Sequence, residues 1–244
     1  MTSIQPQAIA SRLNTPQSLP PLENGDRLIR PEFERRYHVM PDIKKAELIE
    51  GVVYMASPLR FRSHAKPHGY LITILGLYES ATPPVEMGIE PTVRLDLENE
   101  PQPDGVLLIS PENGGQSTID EQGYIQGAPE LVAEIAASSA AIDLGDKKRA
   151  YRRNGVKEYI IWQVFDEKID WFRLEEGDYV SVLPDEQGII RSQVFPGLWV
   201  DIPNLLQGNM PQVLSVLQAG ISSPEHQAFV QALGEDTAES SPDA

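Results

Sequence analysis

PELVAEIAASS (129–139), followed closely by DLGDKKRAYRRNGVKEYIIW (143–162), decides how the rest of the chain is read. The first stretch is apolar and long enough for an interior strand, and one acid, Glu134, interrupts it. The second opens as a helix over 143–153. Asp143 is a suitable N-cap, Asp146 stands three places on in a capping-box-like position, and Asn154-Gly155 supplies the stop. VKEYIIWQVF (156–165) then reads as another buried strand.

Working outward, GVLLIS (105–110) has the same interior-strand character, and 92–97 alternates Val93, Leu95 and Leu97 with polar residues as a half-buried strand does. Further upstream, 67–80 reads as a helix carrying Leu71, Ile74, Leu75 and Tyr78 on one face. AELIEGVVYMA (46–56) reads as a hairpin turning near Glu50-Gly51, and 32–39 as a short helix ended by Pro41. Downstream, IDWFRL, YVSVL and IIRSQVF are separated by EEGD and PDEQG, the pattern of an antiparallel meander. Two short helices follow, one over 210–217 and one with Ser223 as N-cap and Pro224 at its first position. Alternation of helix and strand, then strands in succession, predicts an α/β fold with a central mixed β-sheet flanked by helices.

The expected organisation is a flexible N-terminal arm over 1–24, rich in proline, serine and glutamine, and one folded unit over 25–205. C-terminal helices follow over 206–233, and an acidic disordered tail over 234–244. The chain has no cysteine, which excludes a disulfide framework, a thiol nucleophile and any cysteine-ligated metal, and fits a reducing, cytoplasmic setting. The first 22 residues lack a basic head followed by an apolar stretch, so no secretory signal is expected. No run of about 18 apolar residues would span a membrane. The formal charge of −16 runs against a nucleic-acid partner, since phosphate is repelled at long range. A carboxylate-rich site can still take a phosphodiester once bound cations neutralise it.

The candidate chemistry lies in Pro103-Asp104, in Glu134 and in Lys147 of the following helix. Singly, each has an ordinary role, as turn residue, arginine partner and solvated lysine. Together they offer two carboxylates at the ends of neighbouring strands, hard oxygen ligands for Mg²⁺ or Mn²⁺. A bound ion would also remove the penalty of burying Glu134. Lysine suits the third position, because a compact positive charge can hold a water and balance charge developing on a phosphoryl group.

The order and setting of these residues resemble the PD-(D/E)XK superfamily, restriction-endonuclease-like, and within it a bacterial endonuclease family named Uma-two. The resemblance covers residues 30 to 205 and rests on ELIEGVVYMASP (47–58), the PD at 103–104, PELVAEIAASS and DLGDKKRAYRRNGVKEYIIW. It implies a four- or five-stranded mixed sheet flanked by helices and metal-dependent phosphodiester hydrolysis, with DNA as the expected substrate. One departure stands out: the third place of the (D/E)XK triplet is Ala136, so Lys147 is read as the lysine supplied from the next helix. Lys148 points about 100° away and is the weaker candidate. Glu47 and His64 are accessory candidates, Glu47 as a further acid from the hairpin. His64 lies in LRFRSHAKPH (59–68), the most basic local stretch.

His64 and His68 have the i,i+4 spacing of helical zinc ligands, but Pro67 between them reads as a break in any common helix. Ser138 and Ser139 lack a nucleophile-elbow setting and read as turn or cap residues. The competing functional reading is a catalytically silent module that binds a protein or nucleic acid, which the acidic charge favours. A homodimer is expected through the apolar faces of 210–233, because nucleases that cut both strands pair two sites.

Overall fold

Strand, helix and strand over 131–163 form the middle of the molecule. The computed structural model describes residues 19–55 and 58–239, with side chains up to 234, so residues 1–18 of the expected arm and 240–244 of the expected tail lie outside the described residues. In chain order, α1 (Arg30–Tyr37) precedes the hairpin of β1 (Ala46–Ile49) and β2 (Val52–Met55). A π-turn (Phe61–Ala65) leads into α2 (Lys66–Ser80), followed by β3 (Val85–Ile89), the short β4 (Val93–Arg94) and β5 (Gly105–Ile109). The short β6 (Thr118–Ile119) and β7 (Ile125–Gln126) join β4 in a small sheet. After β8 (Leu131–Ala136) one helical run holds α3 (Ala140–Ile142), a second π-turn (Asp143–Lys147) and α4 (Lys148–Asn154). Then come β9 (Glu158–Gln163), β10 (Lys168–Glu175), β11 (Asp178–Ser181), β12 (Ile189–Arg191) and β13 (Trp199–Asp201). The chain closes with α5 (Ile202–Gln207), α6 (Met210–Ile221) and α7 (Pro224–Glu239).

Among the described residues the central sheet has six strands in the order β11-β10-β9-β8-β5-β3. β8 and β9 run parallel, as the helical crossover between them requires, and the other neighbours are antiparallel. The sheet is therefore mixed, one strand wider than the resemblance implied. Strand alternation sends Leu131, Ala133 and Ile135 to one face, against Leu71, Ile74 and Leu75 of α2 and Val213 and Leu217 of α6. Val132 and Ala136 face the other way, with Val106, Ile161 and Tyr151 of α4. Glu134 has the parity of this second face. The register pairs Gly105 with Ala133, which sets Asp104, the residue before β5, level with Glu134 inside β8.

Several local expectations change. The 92–97 strand is only two residues long, because Asp96 Oδ1 takes the amide of Glu98 and the side chain of Asn99 and turns the chain. The third meander segment leaves the central sheet, since β12 pairs with β13 in a separate two-stranded sheet after Asp185 and Gly188 turn the chain. Asp143 is not an N-cap: it lies inside the helical run at φ −66°, ψ −41° and is buried. The hairpin turn falls where expected, with Glu50 and Gly51 both at positive φ (51° and 71°) as a tight two-residue turn demands.

Leu22, ahead of the boundary drawn at 25, packs with Phe33, Leu48 and Val53 in a small cluster under the hairpin. At the other end α7 continues to Glu239, into the stretch read as tail. Val213, Leu217 and Leu233 are buried in the main core, so the apolar faces of the C-terminal helices are already covered. Among the described residues no helix is long and apolar enough to cross a membrane.

Candidate active site

Asp104 sits at the mouth of β5, almost fully buried at 3% exposure. Its Oδ2 accepts the backbone amide of Ile135 at 2.7 Å, and its Oδ1 lies 3.3 Å from Nε2 of His64. Burial works to raise this carboxyl, but the hydrogen bond and charge of His64, with the Ile135 amide, outweigh it and hold the group below the usual carboxylate range.

Glu134 faces the helical run that follows its own strand. Its Oε1 accepts hydrogen bonds from Lys147 Nζ and from the Tyr151 hydroxyl, both at 2.9 Å. Lys147 and Tyr151 are four residues apart, one helical turn, and so reach the same oxygen. Lys147 Nζ also contacts Glu47 Oε1 at 2.9 Å and lies 3.7 Å from Asp143 Oδ1. Glu47 on β1 is held in turn by the amide of Gln102, at 2.7 Å. Three acids from three parts of the chain thus surround one ammonium that is itself only 5% exposed. Burial pushes the Glu134 carboxyl up to about 8 despite Lys147, and burial likewise raises Asp143. The Lys147 ammonium is held well above its ordinary value, because the three carboxylates outweigh its own desolvation.

The structure therefore brings together Asp104, Glu134, Lys147, Glu47 and His64. It corrects the picture of Lys147 as a solvated helix lysine, for the π-turn carries it into the interior. Lys148 points elsewhere, with its ammonium over the Phe172 ring, 3.4 Å from the centroid. Sequence reasoning missed Tyr151 as a partner of Glu134, although its spacing from Lys147 was visible. It also missed Asp143, whose two buried oxygens have no hydrogen-bond partner.

Pro67 does not separate His68 from His64, contrary to the sequence-based expectation. It stands at the second position of α2, just after the π-turn, whose wider turn joins that helix without a break. His64 and His68 consequently lie one turn apart, with ring centroids separated by 5.6 Å. His68 Nε2 lies 2.9 Å from the Asp104 carbonyl oxygen. His64, His68 and Asp104 each offer a ligand atom within 4.8 Å of the others. Among the described residues, His64, His68 and Asp104 are the group whose ligand atoms lie close enough together to hold a metal ion.

A mixed sheet with acids on two neighbouring strands, and a lysine that reaches one of them from the helical crossover, defines the restriction-endonuclease-like class of fold. The chain belongs to the Uma2 family, described as "Putative restriction endonuclease", whose profile matches residues 30–203; this is the Uma-two family that the sequence resembles. Its fold is similar to a crystal structure described as that of "a putative nuclease" from Anabaena variabilis. The TM-score is 0.53 at 12% identity, over 71% of this chain and 96% of that one. No curated protein matches the sequence.

Proposed function

We propose that this chain is an endonuclease that hydrolyses phosphodiester bonds in DNA with a divalent ion, Mg²⁺ or Mn²⁺, held by Asp104 and Glu134. The observation that carries the reading is the enclosure of Lys147 by Glu134, Glu47 and Asp143 beside Asp104. Buried carboxylates in excess of the one cation among them are costly unless a further cation joins them. The donor set fits a hard ion, because the hydrogen bonds from Lys147 and Tyr151 both fall on Oε1 of Glu134, which leaves its second oxygen to pair with Asp104. Such an ion supplies Lewis acidity and a more acidic bound water.

The chain's own groups have separate tasks. Lys147 holds positive charge where the attacking water and the phosphoryl oxygens meet. Glu47 and Tyr151 fix the pair that Lys147 makes with Glu134, and the Ile135 amide fixes Asp104. Arg60, Arg62 and Lys66 are exposed on and beside the turn that carries His64, giving a strand backbone cationic contacts on an otherwise acidic molecule. The formal charge of −16 is the observation that favours the rival, a non-cutting module. A homodimer would have to use a surface other than the faces of α6 and α7, and light scattering at high micromolar concentration reads the mass directly. The deciding experiment is cleavage of mixed DNA and RNA substrates with Mg²⁺ and with Mn²⁺. No product with either ion, from protein that melts cooperatively, sinks the proposal.

A further inference from the structure

The geometry points to a second kind of metal chemistry at the same strand end: His64, His68 and Asp104 form a three-ligand site for a borderline divalent transition ion of the zinc class. This rests on reading Asp104 as an ion ligand, and it extends that reading to two imidazoles. Two imidazoles and one carboxylate are a donor set that favours Zn²⁺, Co²⁺ or Ni²⁺ over Mg²⁺, which prefers oxygen and keeps its water.

Two features support it. Two ligands held at about 2.0–2.1 Å from one tetrahedral ion lie roughly 3.3 Å apart. His64 Nε2 and Asp104 Oδ1 are already separated by 3.3 Å. The other oxygen of Asp104 is occupied by the Ile135 amide, so Oδ1 is the atom left to ligate, and the carboxylate is oriented as ligating carboxylates are, by a hydrogen bond behind it. To ligate, His64 Nε2 must give up the proton it directs at Asp104, and Nδ1, which is buried and has no hydrogen-bond partner, would then carry it. With three protein ligands, an ion here keeps an open position, the mark of a reactive rather than a structural zinc site. Asp104 would then be shared between this ion and the carboxylate pair with Glu134.

The test uses the full chain stripped of metal with a chelator. Zn²⁺ is titrated by calorimetry, and Co²⁺ is followed by its visible absorption. The expected result is one site per chain. His64→Gln and His68→Gln should each weaken Zn²⁺ by at least about tenfold and abolish the Co²⁺ absorption. His38→Gln, at an exposed histidine outside the cluster, should leave both unchanged. Should either glutamine variant fail to fold, the imidazole resonances of the unaltered protein decide, since Zn²⁺ should shift those of His64 and His68 together. Folded variants that bind Zn²⁺ as the natural protein does overturn the site. So does a Mg²⁺-induced rise in melting temperature that depends on Asp104 and Glu134 while Zn²⁺ ignores the histidines, a result that leaves the two-carboxylate reading standing. Tight histidine-dependent Zn²⁺ binding without cleavage of any nucleic acid supports the site and removes the nuclease proposal instead.

Discussion

Asp104 and Glu134 are mechanically linked, because Asp104 Oδ2 accepts the amide of Ile135, the residue that follows Glu134, at 2.7 Å. Movement of one carboxylate therefore shifts the strand that carries the other. For substitution at this pair, asparagine and glutamine are preferable to alanine, since an acceptor oxygen at Asp104 keeps the strand ends joined. An ion that binds only the folded state raises its melting temperature. Asp104→Asn combined with Glu134→Gln should abolish the rise caused by saturating Mg²⁺ or Mn²⁺. A rise of the same size in the double variant removes these two residues as ligands.

Lys147 and Lys148 are adjacent and should behave very differently. Removing Lys147 strands buried carboxylates, a change that costs about 3–5 kcal/mol in comparable buried pairs. Lys148→Ala gives up only its packing on Phe172, worth about 1 kcal/mol or less at a partly exposed site. At a temperature where both variants are folded, Lys147→Ala should slow cleavage by on the order of 100-fold and Lys148→Ala far less. Equal rates for the two, both near that of the natural protein, would remove Lys147 from the chemistry.

The exposed cations Arg60, Arg62 and Lys66 offer a test of substrate binding that is independent of the acids. Removing one cation that neutralises a phosphate should reduce the slope of log affinity against log salt by about 0.9 for duplex DNA. Changing all three to alanine should weaken DNA binding while leaving stability within about 0.5 kcal/mol, as surface substitutions do. A salt dependence identical to that of the natural protein places the DNA path elsewhere.

Away from the site, Glu100 gives a pH prediction. Burial, reinforced by Glu34, pushes its carboxyl from 4.5 up to about 8, against the pull of Arg94. Between those values the folded chain holds a proton that the unfolded chain has released, so stability falls as pH rises through that window. Glu100→Gln mimics the protonated form. It should melt with the natural protein near pH 5 and several degrees above it near pH 9. A gain of equal size at both pH values would show that charge is not its cause.

How much the sequence reveals depends on the range of the interaction. β5, β8 and β9 were readable because continuous apolar runs bounded by glycine and polar residues are local signals, and the hairpin because Glu50-Gly51 is a local turn. Asp104 and Glu134 were readable because one opens and the other interrupts such a run. The burial of Lys147 was not, since it depends on Glu47, a residue 100 positions away, and on a helical turn wider than the usual one. Asp143 looked like a cap for the same reason. The proximity of His64 and His68 was hidden by Pro67, whose effect depends on whether it falls in the first turn of a helix or in its middle, a boundary that composition does not fix.

The two π-turns, Phe61–Ala65 and Asp143–Lys147, both carry residues of the site. Each accommodates one residue more than a regular turn, at a cost in backbone geometry. A single-residue deletion in either would let the helix relax to its regular pitch and leave the following residues nearly in phase, while the residues inside the turn change direction by up to about 100°. Directed evolution for heat resistance alone should therefore find shortened turns acceptable or even advantageous, and the resulting proteins should outlast the natural one while losing the arrangement of His64 or Lys147. Selection that keeps both turns must be reading something other than durability.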